Sequence, residues 1–247
     1  MYRILFIIAI LFASYGIMRA QDFSYTVSTD SVAWNELNAQ TILNTNNAAW
    51  NFSYRVPIGF SFPFAGRNFD SLTIETNGYI VLDNDRNYAI TAFSGIGDCT
   101  DGNGDHAVLG YELTGTTGNH ILKIQYKNCS DNPHAHRTLS WQVWLKEDGD
   151  VEVRVGPAAL RSNAIVSVEY NEQTELMDTT TTVVMDSSQV YRIGLLNMNM
   201  DSDDRGLLLG DNPSSPDAEH VNENNPETPF LVFIPAVGYR YVFTPSN

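Results

Sequence analysis

Positively charged side chains are scarce in this chain. The sequence has 14 Lys and Arg against 29 Asp and Glu, which gives a formal net charge of −15 at pH 7. With so few basic residues no patch is available to neutralise phosphates, and a chain of this charge repels nucleic acid and anionic membrane surfaces. We therefore predict no nucleic-acid partner and an acidic, soluble chain that attracts cations.

A long apolar run is also missing. The apolar stretch from Ile4 to Ala13 is well short of the ~20 residues that cross a bilayer, so we do not expect an integral membrane protein. Residues 1–20 combine an early Arg, this apolar stretch and small residues toward Ala20, the pattern of a secretory signal cleaved after Ala20. An uncleaved anchor helix is the alternative. We predict a secreted chain, located in the periplasm, at the cell surface or outside the cell.

Helical periodicity is absent over any convincing length, whereas strand alternation recurs. Phe60, Phe62 and Phe64 alternate with small residues, as the buried face of a strand requires. Short alternating segments with Gly and Pro at their junctions are typical of a sandwich. We predict an all-β fold, an antiparallel, jelly-roll-like β-sandwich that forms a single domain over residues 21–247.

One segment breaks this pattern. Residues 197–229 contain four Pro, many Asn and Asp, and no sustained periodicity, so they are predicted to be an irregular loop insertion. The segment from Phe230 to Pro245 is aromatic and apolar, and Tyr239, Tyr241 and Phe243 alternate within it. We predict that this segment returns to the core as an integral strand.

Residues 54–82 carry a family resemblance. Their sequence, YRVPIGFSFPFAGRNFDSLTIETNGYIVL, contains the pattern GFxFPFxG followed by TNGYI. It resembles secreted β-sandwich modules of Bacteroidetes-type bacteria, nidogen-like in their opening motif. Later segments, including residues 139–155 and 238–245, are similar to later strands of those modules. The resemblance implies an extracytoplasmic sandwich and supplies no catalytic residues.

Such modules usually occur beside protease domains, adhesive repeats or sorting domains, and none of these is recognisable in the 247 residues. We therefore expect a non-catalytic subunit that docks to another envelope or outer-membrane protein, within an outer-membrane or secretion-associated complex. A carbohydrate-binding module is the first alternative and a hydrolase the second. No cofactor is expected to be required, although calcium is a candidate.

Cysteine is nearly absent, with Cys99 and Cys129 as the two copies. In a chain that leaves the cytoplasm, an isolated pair predicts a disulfide, with two buried thiols as the alternative. Each Cys adjoins a polar segment rich in Gly, Asp or Asn. The bridge would therefore join two loops at one end of the sandwich.

Oxygen ligands are concentrated in the sequence DCTDGNGD. Calcium accepts six to eight oxygens in loose geometry, and this Gly-rich segment offers Asp98, Asp101, Asn103 and Asp105. The full EF-hand pattern is missing, and a plain solvated turn is the alternative interpretation. The acidic residues 201–204 form a second, weaker candidate.

Catalytic signatures are equally sparse. His134 and His136 have a spacing compatible with zinc or copper, but the sequence fixes no third ligand, so an exposed loop pair is favoured. Glu75, Glu152 and Glu169 lie on predicted strands and face away from the core, where most carboxylates are simply solvated. A G-x-S-x-G nucleophile elbow is absent. We expect no enzyme activity.

Trp144 is the main functional candidate. In the predicted hairpin around Gly149, Leu139 and every second residue to Leu145 share the core face, whereas Trp144 lies on the polar face. An aromatic ring in that position can stack on a sugar or anchor a protein partner. The alternative is that a loop, such as residues 197–229, covers it.

Overall fold

Sixteen strands make up the regular structure of the described residues. The structure is a computed structural model that describes residues 24–38, 41–43, 52–94, 99, 107–130, 137–160, 165–171, 176–182, 192–197, 204–210, 217–222 and 235–246. The strands are β1 Tyr25–Ser31, β2 Thr41–Leu43, β3 Ser53–Phe64, β4 Arg67–Glu75, β5 Tyr79–Val81, β6 Tyr88–Ser94, β7 Val108–Thr114, β8 Ile121–Ser130, β9 Arg137–Lys146, β10 Val151–Leu160, β11 Ile165–Asn171, β12 Leu176–Thr182, β13 Arg192–Asn197, β14 Asp204–Gly210, β15 Asp217–Asn222 and β16 Tyr239–Pro245.

These strands form two seven-stranded antiparallel sheets that pack face to face. Sheet A has the order β1-β16-β10-β9-β8-β7-β2, and sheet B has the order β15-β14-β13-β6-β5-β4-β3; β11 and β12 pair separately. The core between the sheets contains Phe62 and Ile74 from sheet B, and Trp141 and Val153 from sheet A, all fully buried. The predicted antiparallel β-sandwich is therefore confirmed.

The alternation read from the sequence holds in the strands that carried it. Phe60, Phe62 and Phe64 are buried, at 9%, 0% and 1% exposure. In the β9–β10 hairpin Trp141 lies opposite Val155, and both are buried in the core. Side chains at positions with the other parity, Trp144 among them, lie on the outer face of sheet A.

The last strand follows the prediction from Tyr239 onward, whereas residues 235–238 form a turn and residues 230–234 lie outside the described residues. Strand β16 pairs with β10 and with β1, and the buried side chains of Tyr241 and Phe243 join the core. The pair of β1 and β16 places Tyr25 opposite Pro245, and the Ser246 N–H donates to the Ser24 carbonyl oxygen at 2.9 Å. The first and last strands are thus neighbours at one edge of the sandwich.

The prediction of an irregular insertion at residues 197–229 is wrong for its described part. Strands β14 and β15 lie inside it, and β14 pairs with β13 on one side and with β15 on the other. Leu207, Leu208 and Leu209 are nearly fully buried. A short apolar run that is buried on both faces shows no alternation, so it escapes a search for period-two patterns.

Candidate functional site

A segment crosses the outer face of sheet A and frames the candidate site. Residues 32–38, called the strap below, leave β1 at one edge of sheet A and lead toward β2 at the opposite edge. Six strand spacings of ~4.8 Å separate these edges, about 29 Å. The ten residue steps from Ser31 to Thr41 reach at most about 36 Å. The strap therefore has little slack and crosses the sheet almost directly.

The strap touches the sheet strand by strand. The Val32 N–H donates to the Gly238 carbonyl oxygen at 2.7 Å, just before β16. On β9, Gln142 Nε2 donates to the Asn35 carbonyl oxygen at 2.8 Å, and on β8 Gln125 Oε1 accepts from the Leu37 N–H at 2.9 Å. The two glutamine side chains are themselves hydrogen-bonded at 2.9 Å. This buried amide pair anchors the middle of the strap.

Trp34 of the strap lies over β10 where that strand carries a glycine. A Cβ added at Gly156 would lie 2.6 Å from Trp34 Cη2 and 2.7 Å from the Ser140 carbonyl oxygen. Glycine is therefore the residue that lets the indole approach the backbone this closely. The pairing of β10 with β9 shifts register between Val155 and Ala158, next to this contact.

Trp144 lies on β9, the central strand of sheet A, beside the strap. The Arg154 Cζ atom is 3.3 Å from the centroid of the indole ring and Lys123 Nζ is 4.6 Å from it. These two cations come from β10 and β8, the strands that flank β9 on either side. The indole Nε1 donates to Gln142 Oε1 at 3.0 Å. The half-buried ring is thus held by cation–π contacts and by the residue that anchors the strap.

Glu152 is the buried charge of this site. Its side chain is 2% exposed and meets Lys146 Nζ at 2.7 Å, Arg154 Nη2 at 2.6 Å and Arg240 Nη1 at 3.3 Å. Burial alone would raise its pKa, but the hydrogen bonds from Lys146 and Arg154 outweigh burial and hold the pKa below its ordinary value. The expectation that Glu152 is simply solvated is therefore wrong, because long cationic side chains from three strands cover it.

The remaining cations of the face are also paired. Lys123 Nζ meets Glu112 Oε1 at 3.3 Å, and Arg240 Nε donates to Asp30 Oδ1 at 2.7 Å. The hydrogen bond from Arg240 lowers the pKa of Asp30. All three lysines of the sequence, Lys123, Lys127 and Lys146, belong to this face. The outer face of sheet A is therefore close to charge-balanced in a strongly acidic chain.

Glu75 lies elsewhere, at the end of β4, and is also buried rather than solvated. Its carboxylate forms a two-point ion pair with Arg86, whose Nη2 is 3.1 Å from Oε2, and its side chain is 8% exposed. Strand β11 contains Glu169, whose side chain lies outside the described residues. Each described carboxylate of the predicted trio is thus locked to guanidinium groups.

The predicted disulfide is confirmed. Cys99 and Cys129 are bonded to one another and both are fully buried, so the alternative of two free thiols is excluded. Cys129 lies on β8 of sheet A, whereas the Cys99 N–H donates to the Thr76 carbonyl oxygen at 3.0 Å, just after β4 of sheet B. The bridge therefore ties the two sheets together at this end.

Several predicted features lie outside the described residues. They are the secretory signal at residues 1–20, the calcium candidates Asp98, Asp101, Asn103 and Asp105, the pair His134 and His136, and residues 201–203. Within the described ranges, no three His, Cys, Asp or Glu side chains come together as a metal site. The described part of the chain contains no helix that could span a lipid bilayer.

The sequence pattern indicated the face on which Trp144 lies but missed what holds it. The missed residues are the strap, the glutamine pair Gln125 and Gln142, and the cations from neighbouring strands. One signal was available, because Lys123 and Arg154 lie at outward positions of β8 and β10. Without the strand order and register, however, their distance from Trp144 was not defined.

Fold and site together define a β-sandwich module with a polar outer face and an inter-sheet disulfide. Residues 24–245 match the family described as NIDO related, and the chain belongs to this family. This family is a non-enzymatic module type. Membership of the family and the disulfide are both compatible with an extracellular location. Comparisons with curated proteins and with solved structures found no match.

Proposed function

We propose that this chain is a non-catalytic, secreted binding module that docks onto another protein of the cell envelope through the outer face of sheet A. The observation that carries the proposal is the immobilised Trp144, held by Arg154, Lys123 and Gln142. Trp and Arg are the residues most enriched at the energetic centre of protein interfaces. A side chain that is already ordered also loses little conformational entropy when it binds.

Glycoside hydrolysis is disfavoured by the electrostatics of Glu152. A general acid needs a carboxyl whose pKa is raised, so that it carries a proton near neutral pH. The pKa of Glu152 is lowered instead, because the hydrogen bonds from Lys146 and Arg154 outweigh the effect of burial. Its oxygens accept these bonds and the contact from Arg240, which leaves the carboxylate engaged within the chain.

Carbohydrate binding at Trp144 is disfavoured by the surroundings of the ring. A sugar stacks on an open aromatic face, whereas Arg154 and Lys123 approach this ring from the strands on its two sides. Stacking would require one of these cations to leave both the ring and its carboxylate partner. A protein partner can instead contact the free rim of the indole and the surrounding charged side chains.

Affinity capture from the envelope fraction of the native host tests the proposal. Wild-type protein, Trp144→Ala and the matched control Phe52→Ala, which truncates an aromatic with 42% exposure elsewhere, serve as baits. We expect a partner that wild type and Phe52→Ala recover equally and that Trp144→Ala recovers at least about tenfold less. Thermal melting verifies that each bait is folded, and Trp144→Phe serves if the Ala variant is not. Equal recovery by all baits would refute this face as the binding surface.

Secretion and calcium binding complete the proposal. N-terminal sequencing of protein from the native host should find Gln21 first, as cleavage after Ala20 requires. If Asp98, Asp101, Asn103 and Asp105 bind calcium, millimolar calcium should raise the melting temperature relative to chelator. The double variant Asp101→Ala, Asp105→Ala should remove this difference. If the melting temperature of wild type does not respond to calcium, the alternative interpretation of this segment as a plain solvated turn is favoured.

A further inference from the structure

We propose that the open edge of β1 is a docking site for an extended segment of another protein, which adds a strand antiparallel to β1 at the end of sheet A. This segment would alternate apolar and basic residues. In sheet A, β1 and the strand of Trp144 are three strand spacings of ~4.8 Å apart, about 14 Å. An added strand lies in the plane of the sheet and leaves Trp144 uncovered, so the edge and the face of Trp144 are separate surfaces.

The backbone of β1 offers a row of hydrogen-bonding groups to this edge. Among the described strands, β16 is the one neighbour of β1. Ser24 and Val32, just outside the two ends of β1, are hydrogen-bonded to the β16 side at 2.9 and 2.7 Å. Because an antiparallel strand points the N–H and C=O groups of successive residues to alternate sides, the even-numbered residues of β1 bond to β16 and the odd-numbered residues face the edge. The outward-facing residues include Val27, Thr29 and Ser31. Such a row is complementary to the backbone of another extended segment.

The other sheet edges carry features that block strand addition, whereas β1 does not. Short length, proline, bulges and charge are the devices that protect an edge. Strand β2, at the far edge of sheet A, has three residues. In sheet B, β3 contains Pro57 and Pro63, and its register with β4 shifts after Pro57. Strand β15, at the other edge, has Asp217 and Glu219 among its six residues. The seven residues of β1 include no proline and a single charged residue, Asp30.

The side chains of β1 define what the added strand would carry. Odd-numbered residues turn toward the core, where Val27 packs against the buried cluster but stays only half-buried at the edge. An apolar residue of the added strand opposite Val27 would complete its burial. Even-numbered residues lie on the outer face, where the side chain of Asp30 is 49% exposed. A Lys or Arg on that side of the added strand is attracted by Asp30 and by the formal net charge of −15. The segment that fits therefore has apolar residues toward the core and basic residues on the outer face.

An NMR titration with a defined peptide tests strand addition. The probe is the acetylated and amidated heptapeptide Lys-Val-Lys-Val-Thr-Val-Lys, added to isotope-labelled protein up to millimolar concentration. We expect the odd-numbered amides of β1 to shift and their hydrogen exchange to slow at least about tenfold, while the even-numbered amides, already bonded to β16, change little.

Two N-methylated peptides are the matched controls. In an antiparallel pair the N–H groups of the valines point to β1, so N-methyl groups on the three valines should abolish binding. N-methyl groups on the other residues keep the same side chains and charge and should leave binding intact. Equal binding of both control peptides would show charge attraction alone and refute strand addition, as would the absence of shifts at β1.

Substitution of Thr29 supplies a second measurement, from the side of the protein. Thr29→Pro removes an N–H that faces the edge and leaves the hydrogen bonds from β1 to β16 in place, so the protein should stay folded. This variant should bind the unmodified peptide at least about tenfold more weakly, whereas Thr29→Val, which keeps the N–H, should bind at least as tightly as wild type. Thermal melting verifies folding, and the N-methylated peptides decide the question if Thr29→Pro does not fold. Undiminished binding by folded Thr29→Pro would overturn the proposal. Each of these results leaves the capture experiment on Trp144 unaffected, because the outer face is unchanged.

Discussion

The hydroxyl of Tyr126 donates a hydrogen bond across the core to the backbone carbonyl of Glu75, with 3.0 Å between the two oxygens. Tyr126 belongs to β8 of sheet A and Glu75 ends β4 of sheet B. The Tyr126 ring also stacks on Trp141 at a centroid distance of 4.5 Å. Burial raises the pKa of the phenol, and the Glu75 charge raises it further, so the group remains a donor at any ordinary pH. One side chain thus links the two sheets by a polar contact inside an apolar core.

Tyr126→Phe should lower the free energy of unfolding by about 1–2 kcal/mol. The substitution keeps the ring and its stacking on Trp141 but leaves the Glu75 carbonyl without this donor. Urea denaturation provides the measurement, and the slope of the transition should not change. Tyr111→Phe, at a partly buried tyrosine of β7, is the control and should change the unfolding free energy by much less. Equal effects of the two substitutions would mean that the bond across the core contributes nothing.

Loss of the Cys99–Cys129 bridge should destabilise the protein by about 3–4 kcal/mol. The bridge closes a loop with a sequence separation of 30 residues, and in the chain-entropy treatment a loop of this length is worth that much. The double variant Cys99→Ser, Cys129→Ser is compared with wild type by urea denaturation. Wild type reduced and alkylated in denaturant should unfold at a similarly low urea concentration after refolding. If both the double variant and the reduced wild type keep the stability of the oxidised wild type, other contacts between the sheets, such as the Tyr126–Glu75 hydrogen bond, are enough to hold the sheets together near the bridge.

Glu152→Gln should destabilise the protein by about 3 kcal/mol, because it leaves Lys146, Arg154 and Arg240 without their shared buried counter-ion. Asp150→Asn is the control. It removes the more exposed carboxylate of a longer contact with Lys146, 3.4 Å, and should cost less than about 1 kcal/mol. An effect of Glu152→Gln no larger than that of Asp150→Asn would mean that solvent, rather than the cluster, sets the energy of this carboxylate.

The same carboxylate should give the stability a defined pH dependence. The pKa of Glu152 is lower in the folded chain than in the unfolded chain, where it is about 4.3. Its contribution is therefore fully present above about pH 4.3 and is lost as the pH falls through the folded pKa. Melting temperatures measured between pH 3 and pH 6 should fall in acid more steeply for wild type than for Glu152→Gln. Parallel curves for the two proteins would contradict this assignment.

A double-mutant cycle tests the contact between Trp34 of the strap and Gly156 of β10. Gly156→Ala in wild type should cost about 1–3 kcal/mol, because the added methyl group overlaps the Trp34 ring and the Ser140 carbonyl. In the Trp34→Ala background the same change should cost clearly less, since the overlap with the ring is gone while that with the carbonyl persists. Urea denaturation of the four proteins gives the coupling energy. A coupling energy of zero would show that the contact between Trp34 and β10 does not affect stability.

Replacing residues 199–227 by a short Gly/Ser linker should prevent folding or destabilise it severely. The deletion removes β14, and with it Leu207 and Leu209 from the core. Each large-to-small change of a buried leucine costs about 2–5 kcal/mol, which a marginally stable domain cannot absorb twice. Circular dichroism and thermal melting report the outcome. Linker replacement of residues 211–216, between β14 and β15, is the control and should preserve a cooperative transition.

The sequence predicts those features of the structure that depend on residues close together in the chain. The alternation of Phe60, Phe62 and Phe64 gives the buried face of β3 because strand parity is a local property. The cysteine pair, together with the predicted secretory signal, likewise predicts the disulfide. The apolar run Leu207–Leu209 has no alternation and is flanked by Asp, Asn and Pro, so its local pattern predicts a loop instead of a strand.

For the candidate site, the sequence predicts the face on which Trp144 lies but not the residues that surround it. Parity places Trp144 and Glu152 on the outer face of sheet A, and it does so correctly. Parity does not determine exposure, which depends on the side chains that neighbouring strands bring across the same face. Arg240 reaches Glu152 from a strand 88 positions later in the sequence. The strap depends on β1 and β2 occupying opposite edges of sheet A, which no local pattern encodes.

The hydrogen bond between Ser24 and Ser246 has a mechanical consequence. Because β1 and β16 are antiparallel and their outer ends coincide, tension applied between these two residues opens the ladder one hydrogen bond at a time, starting at Tyr25 and Pro245. Such peeling needs far less force than shearing all seven residue pairs at once. It proceeds along β1 to Ser31, where the chain turns into the strap and the load reaches Trp34 and the two glutamines. Resistance to pulling is therefore low along β1 and rises at the strap.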